Sequence, residues 1–433
     1  MAYAPPADRH VMNDRRTFLA RAASLAGLLA GFPSIARTQS ARSKKTILLR
    51  SSWQTVNIGD IGHTPGVLRL IEQHLPGVDV RLWPSDVGAG VEEMLRRRFP
   101  AVAIVRGPEA VAAAFRECDF LLHGSGPSLV GRTDVRRWSE TGKPFGIYGI
   151  TFPGVYGTPA EASRVSALDV EVLSKARFAF FRDSVSLAIA RDQGVSSPIM
   201  EFGPDGAFAV DVRDDQQARA FLSDHRLEDG KFLCVIPRTR FTPYWEVAGR
   251  NTPFDAARHA RNEAMKEHDN APLREAIVAV VRETSMKVLI CPEDETQVKL
   301  GKEVLLDPLP NDVRDKVVWR DRYWLTDEAV STYVRSVGLF GLEMHSPIMC
   351  VGNGVPALVC RFAEQTSKGF MWKDIGLADW LFDMDVDADV RRLVPAVRAL
   401  ARNPGAARAT LVTARAFVEK RQRETMATLG RNL

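Results

Sequence analysis

The chain has 433 residues, 45% of them hydrophobic and 26% charged, a globular composition that excludes a disordered chain, a collagen-like repeat and a multi-span membrane protein. At roughly 100–200 residues per domain, this length predicts two or three domains. Of the formal charge of +5, residues 1–36 carry +2 through four arginines against two aspartates. The remainder is too near neutral for a nucleic-acid footprint, so no nucleic-acid partner is expected.

Arg15-Arg16-Thr17-Phe18-Leu19 precedes an apolar run from Ala22 to Phe32, and Ser34-Ile35-Ala36 supplies the small residues of a cleavage site. This layout predicts a twin-arginine-type signal over residues 1–36. The mature protein is then exported, periplasmic or extracellular, with the twin-arginine export machinery as a partner. A short amphipathic helix is the alternative reading. No later segment reaches the roughly 18 uninterrupted apolar residues of a membrane span.

From Lys45 onward, short β-branched runs alternate with helical patterns, which predicts α/β domains with parallel sheets. The first unit, 45–212, has expected strands at Thr46–Arg50, Val78–Leu82, Ala101–Ile104, Phe120–Leu122, Pro144–Tyr148, Phe178–Phe181 and Pro198–Phe202. Its expected helices are Gly66–His74, Gly90–Phe99, Pro108–Glu117, Ala160–Lys175 and Ser184–Gln193. Asp211–Asp224 reads as a connection. The second unit, 228–385, has expected strands at Phe232–Ile236, Met286–Cys291, Val317–Trp319, Leu339–Gly341 and Ala357–Cys360. Its helices are expected at Ala271–Thr284, Asp327–Val337 and His345–Asn353. Helices at Ala388–Arg402 and about Pro404–Thr428 fill 386–433. The architecture expected is two Rossmann-like domains with a cleft between them. The five cysteines lie in or beside apolar stretches without a Cys-x-x-Cys, and buried thiols are expected.

Open α/β sheets bind ligands at the carboxyl ends of their strands, so those loops hold the candidate residues. After the first strand, Asn57 and Asp60 stand in a glycine-punctuated loop opening a helix, which suits an anion or a sugar hydroxyl and equally a plain turn. After the fourth, Gly124-Ser125-Gly126 allows close backbone approach by a ligand, or makes a tight turn. Arg182 is suited to grip a carboxylate or phosphate, or to pair with Asp183 or a neighbouring loop, while Asp183 or Ser184 caps the helix that follows. In the second unit, Arg238, preferred over Arg240, ends the first strand. His268 crowds an expected helix start in Lys266–Pro272, as a cap or a cleft residue. Tyr244 and Trp245 can stack on sugars or pack as a lid. Glu343, His345 and Ser346 lie where a strand runs into a helix, with Ser346 as a possible cap and His345 held neutral by the helix dipole, or as a structural histidine. No metal-binding spacing and no phosphate-binding Gly-x-x-x-x-Gly-Lys loop is present, so no metal or cofactor is expected.

Taken together, these loops resemble the polysaccharide pyruvyltransferase family. The resemblance covers almost all of Lys45 to Asp383. It runs through Asn57-x-Gly59-Asp60, Gly124-Ser125-Gly126, the strand in Gly142–Gly149, Arg182-Asp183-x-x-Ser186, Pro204-Asp205, His345 and Gly354-Val355-Pro356. It implies a fold similar to two-domain glycosyltransferases and transfer of the enolpyruvyl part of phosphoenolpyruvate, or a similar anionic donor, onto a hydroxyl pair of a polysaccharide or oligosaccharide. It also implies that Arg238 holds the donor's carboxylate or phosphate and that His345 gives or takes the proton. The family's Arg-x-His stands here as Glu343-Met344-His345, an anion in place of a cation, which pairing with Arg238 or Lys368 would neutralise. The alternatives are an exported glycan-binding protein without transfer activity and a nucleotide-sugar-dependent glycosyltransferase.

Overall fold

The computed structural model describes residues 44–153 and 165–433, so the expected signal segment lies outside the described residues. The strands of the first sheet are β1 (Thr46–Ser51), β2 (Asp79–Pro84), β3 (Ala103–Ile104), β4 (Phe120–His123), β5 (Phe145–Ile150), β6 (Ala179–Phe181) and β7 (Met200–Phe202). Those of the second are β8 (Phe232–Ile236), β9 (Lys287–Ile290), β10 (Val317–Trp319), β11 (Gly338–Gly341), β12 (Ala357–Arg361) and β13 (Leu381–Asp383). Their orders are β3-β2-β1-β4-β5-β6-β7 and β10-β9-β8-β11-β12-β13, and every pairing is parallel, for example Ile47 with Phe120 and Leu233 with Gly338. Helices on both faces leave the central strands wholly buried, which is why FLLH, FGIYGI and FLCVI are continuous apolar runs instead of alternating ones. The winding direction reverses beside β1 and beside β8, which opens a crevice at the carboxyl end of each sheet.

The two sheets share a core. One apolar cluster joins Ile47, Leu49 and Phe120 of the first half, through Ile58, Ile61 and Phe208, to Ile348, Met349, Leu339 and Cys234 of the second. Helix Ile58–His74, the turn Gly206–Ala209 and helix His345–Gly352 meet here at backbone distance. A Cβ on Gly352 would fall 1.9 Å from the Phe208 carbonyl oxygen, so only glycine permits this approach. Helix Asp387–Arg402 packs on the second half through Leu393, Val397 and Leu400. Helix Pro404–Arg431 crosses to the first, where Arg421 pairs with Glu201 at 2.8 Å and Phe417 lies against Phe202. All five cysteines are free and buried. Among the described residues, no helix is long and apolar enough to cross a membrane.

Several expected boundaries move. The first helix starts at Ile58 instead of Gly66, because Asn57 caps it and its glycines face packed neighbours instead of solvent. The expected start near Ala271 lies inside a helix spanning Ala256–Glu283, capped by Asp255 with Pro272 in its interior. The ring there removes one backbone bond but does not end the helix. The supposed connection contains helix Asp215–Asp224, capped by Asp214. Helix Arg132–Ser139 and strand β13 carry too little apolar pattern, or too few residues, to stand out in the chain.

Candidate functional site

The first half supplies its groups from four strand ends. After β1, Asn57 accepts the Gly59 and Asp60 amides at 2.8 and 3.1 Å. The helix so started places Asp60 and His63, three residues apart, on one face, with Asp60 Oδ1 4.0 Å from His63 Nε2. Ser125 follows β4, Arg182 follows β6 and Asp205 follows β7, and all three are fully buried. Asp205 holds them together. Its Oδ1 accepts from His63 Nδ1 at 2.9 Å, Ser125 Oγ at 3.1 Å and the Ala207 amide at 2.8 Å, while its Oδ2 accepts from Arg182 Nη1 at 2.6 Å. Burial alone would lift this carboxyl, but His63 and Arg182 outweigh it and hold it well below the usual carboxylate range. Arg182 also donates from Nε to Thr151 Oγ1 at 2.6 Å, whereas its Nη2 is buried without a hydrogen-bond partner.

The second half answers from the ends of β8, β9, β11 and β12. Arg238 donates to Glu343 Oε2 at 2.6 Å, and Gln297 donates to Glu343 Oε1 at 2.6 Å. Burial raises the Glu343 carboxyl even against Arg238. Glu293, fully buried, accepts the Ser346 amide at 2.5 Å and His345 Nδ1 at 3.2 Å. Its neighbour Asp294 is pushed by burial up to about 6. Lys368 is buried near enough to act on both Glu343 and His345. Burial first, then the Lys368 charge, drives the His345 imidazole well below its ordinary value.

The halves meet at two imidazoles. The rings of His63 and His345 stand edge to face with centroids 4.9 Å apart, and Arg182 Nη1 lies 3.5 Å from His345 Nε2. A Cβ on Gly59 would sit 2.2 Å from the His345 Cβ, so the missing side chain is what admits the ring. Farther out, the Tyr244 hydroxyl accepts from Gln54 at 3.3 Å and Arg250 lies over the Tyr244 ring, which ties the aromatic loop of the second half to the first.

Asp60, Ser125, Arg182, Glu343, His345, Ser346 and Lys368 therefore gather at one centre, and several of the other expectations are corrected. Arg238 and His345 both belong to the second half, as expected, and the guanidinium that reaches His345 from the first half is that of Arg182. Of the two pairings open to it, Arg182 takes the neighbouring loop, at Asp205, while Asp183 caps its helix as expected by accepting the Ser186 amide at 2.7 Å. Asn57 is occupied as a cap. The space beside Gly124 and Gly126 is filled by Ser51 and Trp53, so these glycines serve packing within the first half. Ser346 does not cap its helix, because Glu293 takes its amide while its hydroxyl accepts from Tyr333 at 3.1 Å. His268 sits mid-helix, half exposed, 2.8 Å from Asp269. That aspartate is bound to Arg240, which also engages Glu364 and Asp385. His63, Glu293 and Gln297 escaped the sequence reading. His63 was findable from its spacing to Asp60, and Glu293 from its place just beyond a strand end. Replacing Asp183 with alanine is expected to lower stability by about 1 kcal/mol through loss of the cap, measured by urea denaturation, with any catalytic turnover unchanged.

A family model described as polysaccharide pyruvyl transferase matches residues 34–362. No curated protein matches the sequence. Among solved structures, the chain is similar to the UDP-GlcNAc 2-epimerase of Neisseria meningitidis bound to UDP-GlcNAc, with TM-score 0.53, 11% identity, and 89% of this chain and 100% of that one covered. It is also similar to the UDP-GlcNAc 2-epimerase of Methanocaldococcus jannaschii, with TM-score 0.51, 13% identity, and 87% and 99% covered. A third is S. aureus MnaA with UDP, with TM-score 0.51, 12% identity, and 86% and 91% covered. These likenesses establish the fold, two Rossmann-like domains of the glycosyltransferase and epimerase type.

Proposed function

Because this chain belongs to the polysaccharide pyruvyl transferase family, we propose that it transfers a pyruvyl group from phosphoenolpyruvate, or a related anionic enol donor, to two hydroxyls of a glycan held in the crevice. Family and fold together support the coarser statement, a glycan-modifying transferase. In the proposed reaction the donor's methylene carbon takes a proton and its central carbon accepts two sugar oxygens. Phosphate departs, and the two hydroxyl protons pass to the medium or the phosphate. The product is a ketal that adds a carboxylate to the glycan.

One observation carries the reading: cationic groups from both halves, Arg182 and Lys368, converge on the imidazole pair. Arg182 presents a buried Nη2 with no hydrogen-bond partner, which suits an anionic oxygen of the donor. Arg238 is paired with Glu343, so the cation lost at Glu343 is not simply restored by its neighbour. The centre is closed to bulk solvent. Export by the proposed amino-terminal signal would carry the enzyme away from a cytoplasmic donor, which is why a related donor stays within the proposal.

Incubation with phosphoenolpyruvate and oligosaccharide acceptors is expected to release phosphate and yield a pyruvylated product visible by mass spectrometry. Lys368→Ala and His345→Ala are each expected to reduce kcat/KM by about 100-fold or more, the scale for losing one preorganised polar group. Unchanged turnover in both would sink the assignment. Thermal shifts separate the other readings. Stabilisation by sugar alone supports a glycan binder, and stabilisation by a nucleoside diphosphate supports a nucleotide-sugar enzyme.

A further inference from the structure

We propose that Asp60, His63 and His345 form a binding site for one divalent transition-metal ion of the zinc or manganese class. Each of the three offers a ligand atom, and these atoms lie within 4.8 Å of one another. Asp60 Oδ1 and His63 Nε2 are 4.0 Å apart. Metal bonds of about 2.0–2.2 Å at a tetrahedral angle need ligand atoms roughly 3.3–3.6 Å apart, so a small contraction closes the site. Two imidazoles and one carboxylate on one side of an ion also match a known metal-binding arrangement with open positions.

Three further observations point to a cation here. First, His63 is fully buried and its Nε2 has no hydrogen-bond partner, the state of an imidazole whose lone pair awaits a ligand. Second, each imidazole is backed by a carboxylate at its other nitrogen, His63 Nδ1 by Asp205 at 2.9 Å and His345 Nδ1 by Glu293 at 3.2 Å. This arrangement fixes the Nδ1–H tautomer and aims Nε2 at the shared space, as carboxylates behind metal-bound histidines do. The free oxygen side of Asp60 is complemented likewise, since Gln54 donates to its Oδ2. Third, the buried carboxyl groups of this region, Asp60, Asp183, Asp205, Glu293, Asp294 and Glu343, outnumber the buried cationic side chains Arg182, Arg238 and Lys368.

Arg182 Nη1 lies 3.5 Å from His345 Nε2, too long for a good hydrogen bond, and is itself committed to Asp205 at 2.6 Å. It does not occupy the lone pair. A cation at this point would supply the positive charge that Glu343 removes. In its bearing on catalysis, though not on binding, this inference rests on the functional reading above.

The test uses the full chain freed of metal with chelator and then given zinc, manganese, magnesium or calcium chloride. One zinc or manganese ion per chain by elemental analysis, with a rise in Tm, is the expected result. His63→Gln and His345→Gln are each expected to weaken binding at least 10-fold, and Asp205→Asn by about 10- to 100-fold. In case the variants fold poorly, cobalt(II) added to the unmutated chain should give visible absorption bands of a nitrogen-and-oxygen site. Binding of magnesium or calcium only, absence of both stoichiometric metal and cobalt bands, or full retention of metal by a folded His63→Gln/His345→Gln variant would each overturn the proposal. Stoichiometric metal without pyruvyl transfer would uphold the site and count against the functional reading. Full transfer by a chain that binds no metal would do the reverse.

Discussion

Asp205→Ala is expected to destabilise the protein by about 3–5 kcal/mol, the range for removing one partner of a buried ion pair. The carboxylate is fully buried and takes hydrogen bonds from His63, Ser125, Arg182 and the Ala207 amide. Without it, the Arg182 guanidinium keeps its charge in the interior with Thr151 as its remaining close protein partner. Urea denaturation measures the effect, read as a lower midpoint at unchanged slope. Asp205→Asn keeps the shape and loses the charge, and is expected to fall between the alanine variant and the parent. Pairing Asp205→Ala with Arg182→Met should recover a large part of the loss, because the uncompensated charge goes with the arginine. If the double variant is as unstable as the sum of the two single variants, charge burial is not what Asp205 prevents.

Gly59→Ala is expected to have the opposite sign from an ordinary helical glycine replacement. Within a helix, alanine normally gains roughly 0.5–1 kcal/mol over glycine. Here the new methyl would sit 2.2 Å from the His345 Cβ and 2.4 Å from its ring. Either the helix start or the imidazole must retreat, at about 1–3 kcal/mol for overpacking. A displacement near 1 Å at a reacting group lowers rates by about 100-fold. The expected result is a folded protein of modestly lower Tm whose kcat falls by about that factor. A variant more stable than the parent, with full turnover, would show that His345 does not need this position.

The family resemblance could be read from the chain because its marks are local. Asn57-x-Gly59-Asp60, Arg182-Asp183 and His345 each sit where an apolar run ends in a polar turn, and the strand-end rule locates such places without knowledge of their neighbours. The parallel architecture could be read for the same reason. Strands buried on both faces are short uninterrupted apolar runs, and FLCVI and FLLH look the same in the chain as in the sheet. Helix starts read less well. Gly59 and Gly62 carry the signature of a loop, yet they are glycine because His345 and Met349 press against them, and those neighbours lie far along the chain.

Sequence alone determined the alternation of strand and helix, the two sheets and the loops that bear the chemistry, since each follows from side chains within one short segment. Only the tertiary structure decided which partner each charged group takes: Arg182 with Asp205, Arg238 with Glu343, and His345 with Glu293. A buried charge is stable only beside its counter-charge. That partner is chosen by how two sheets dock through a common core, and spacing along the chain does not record it.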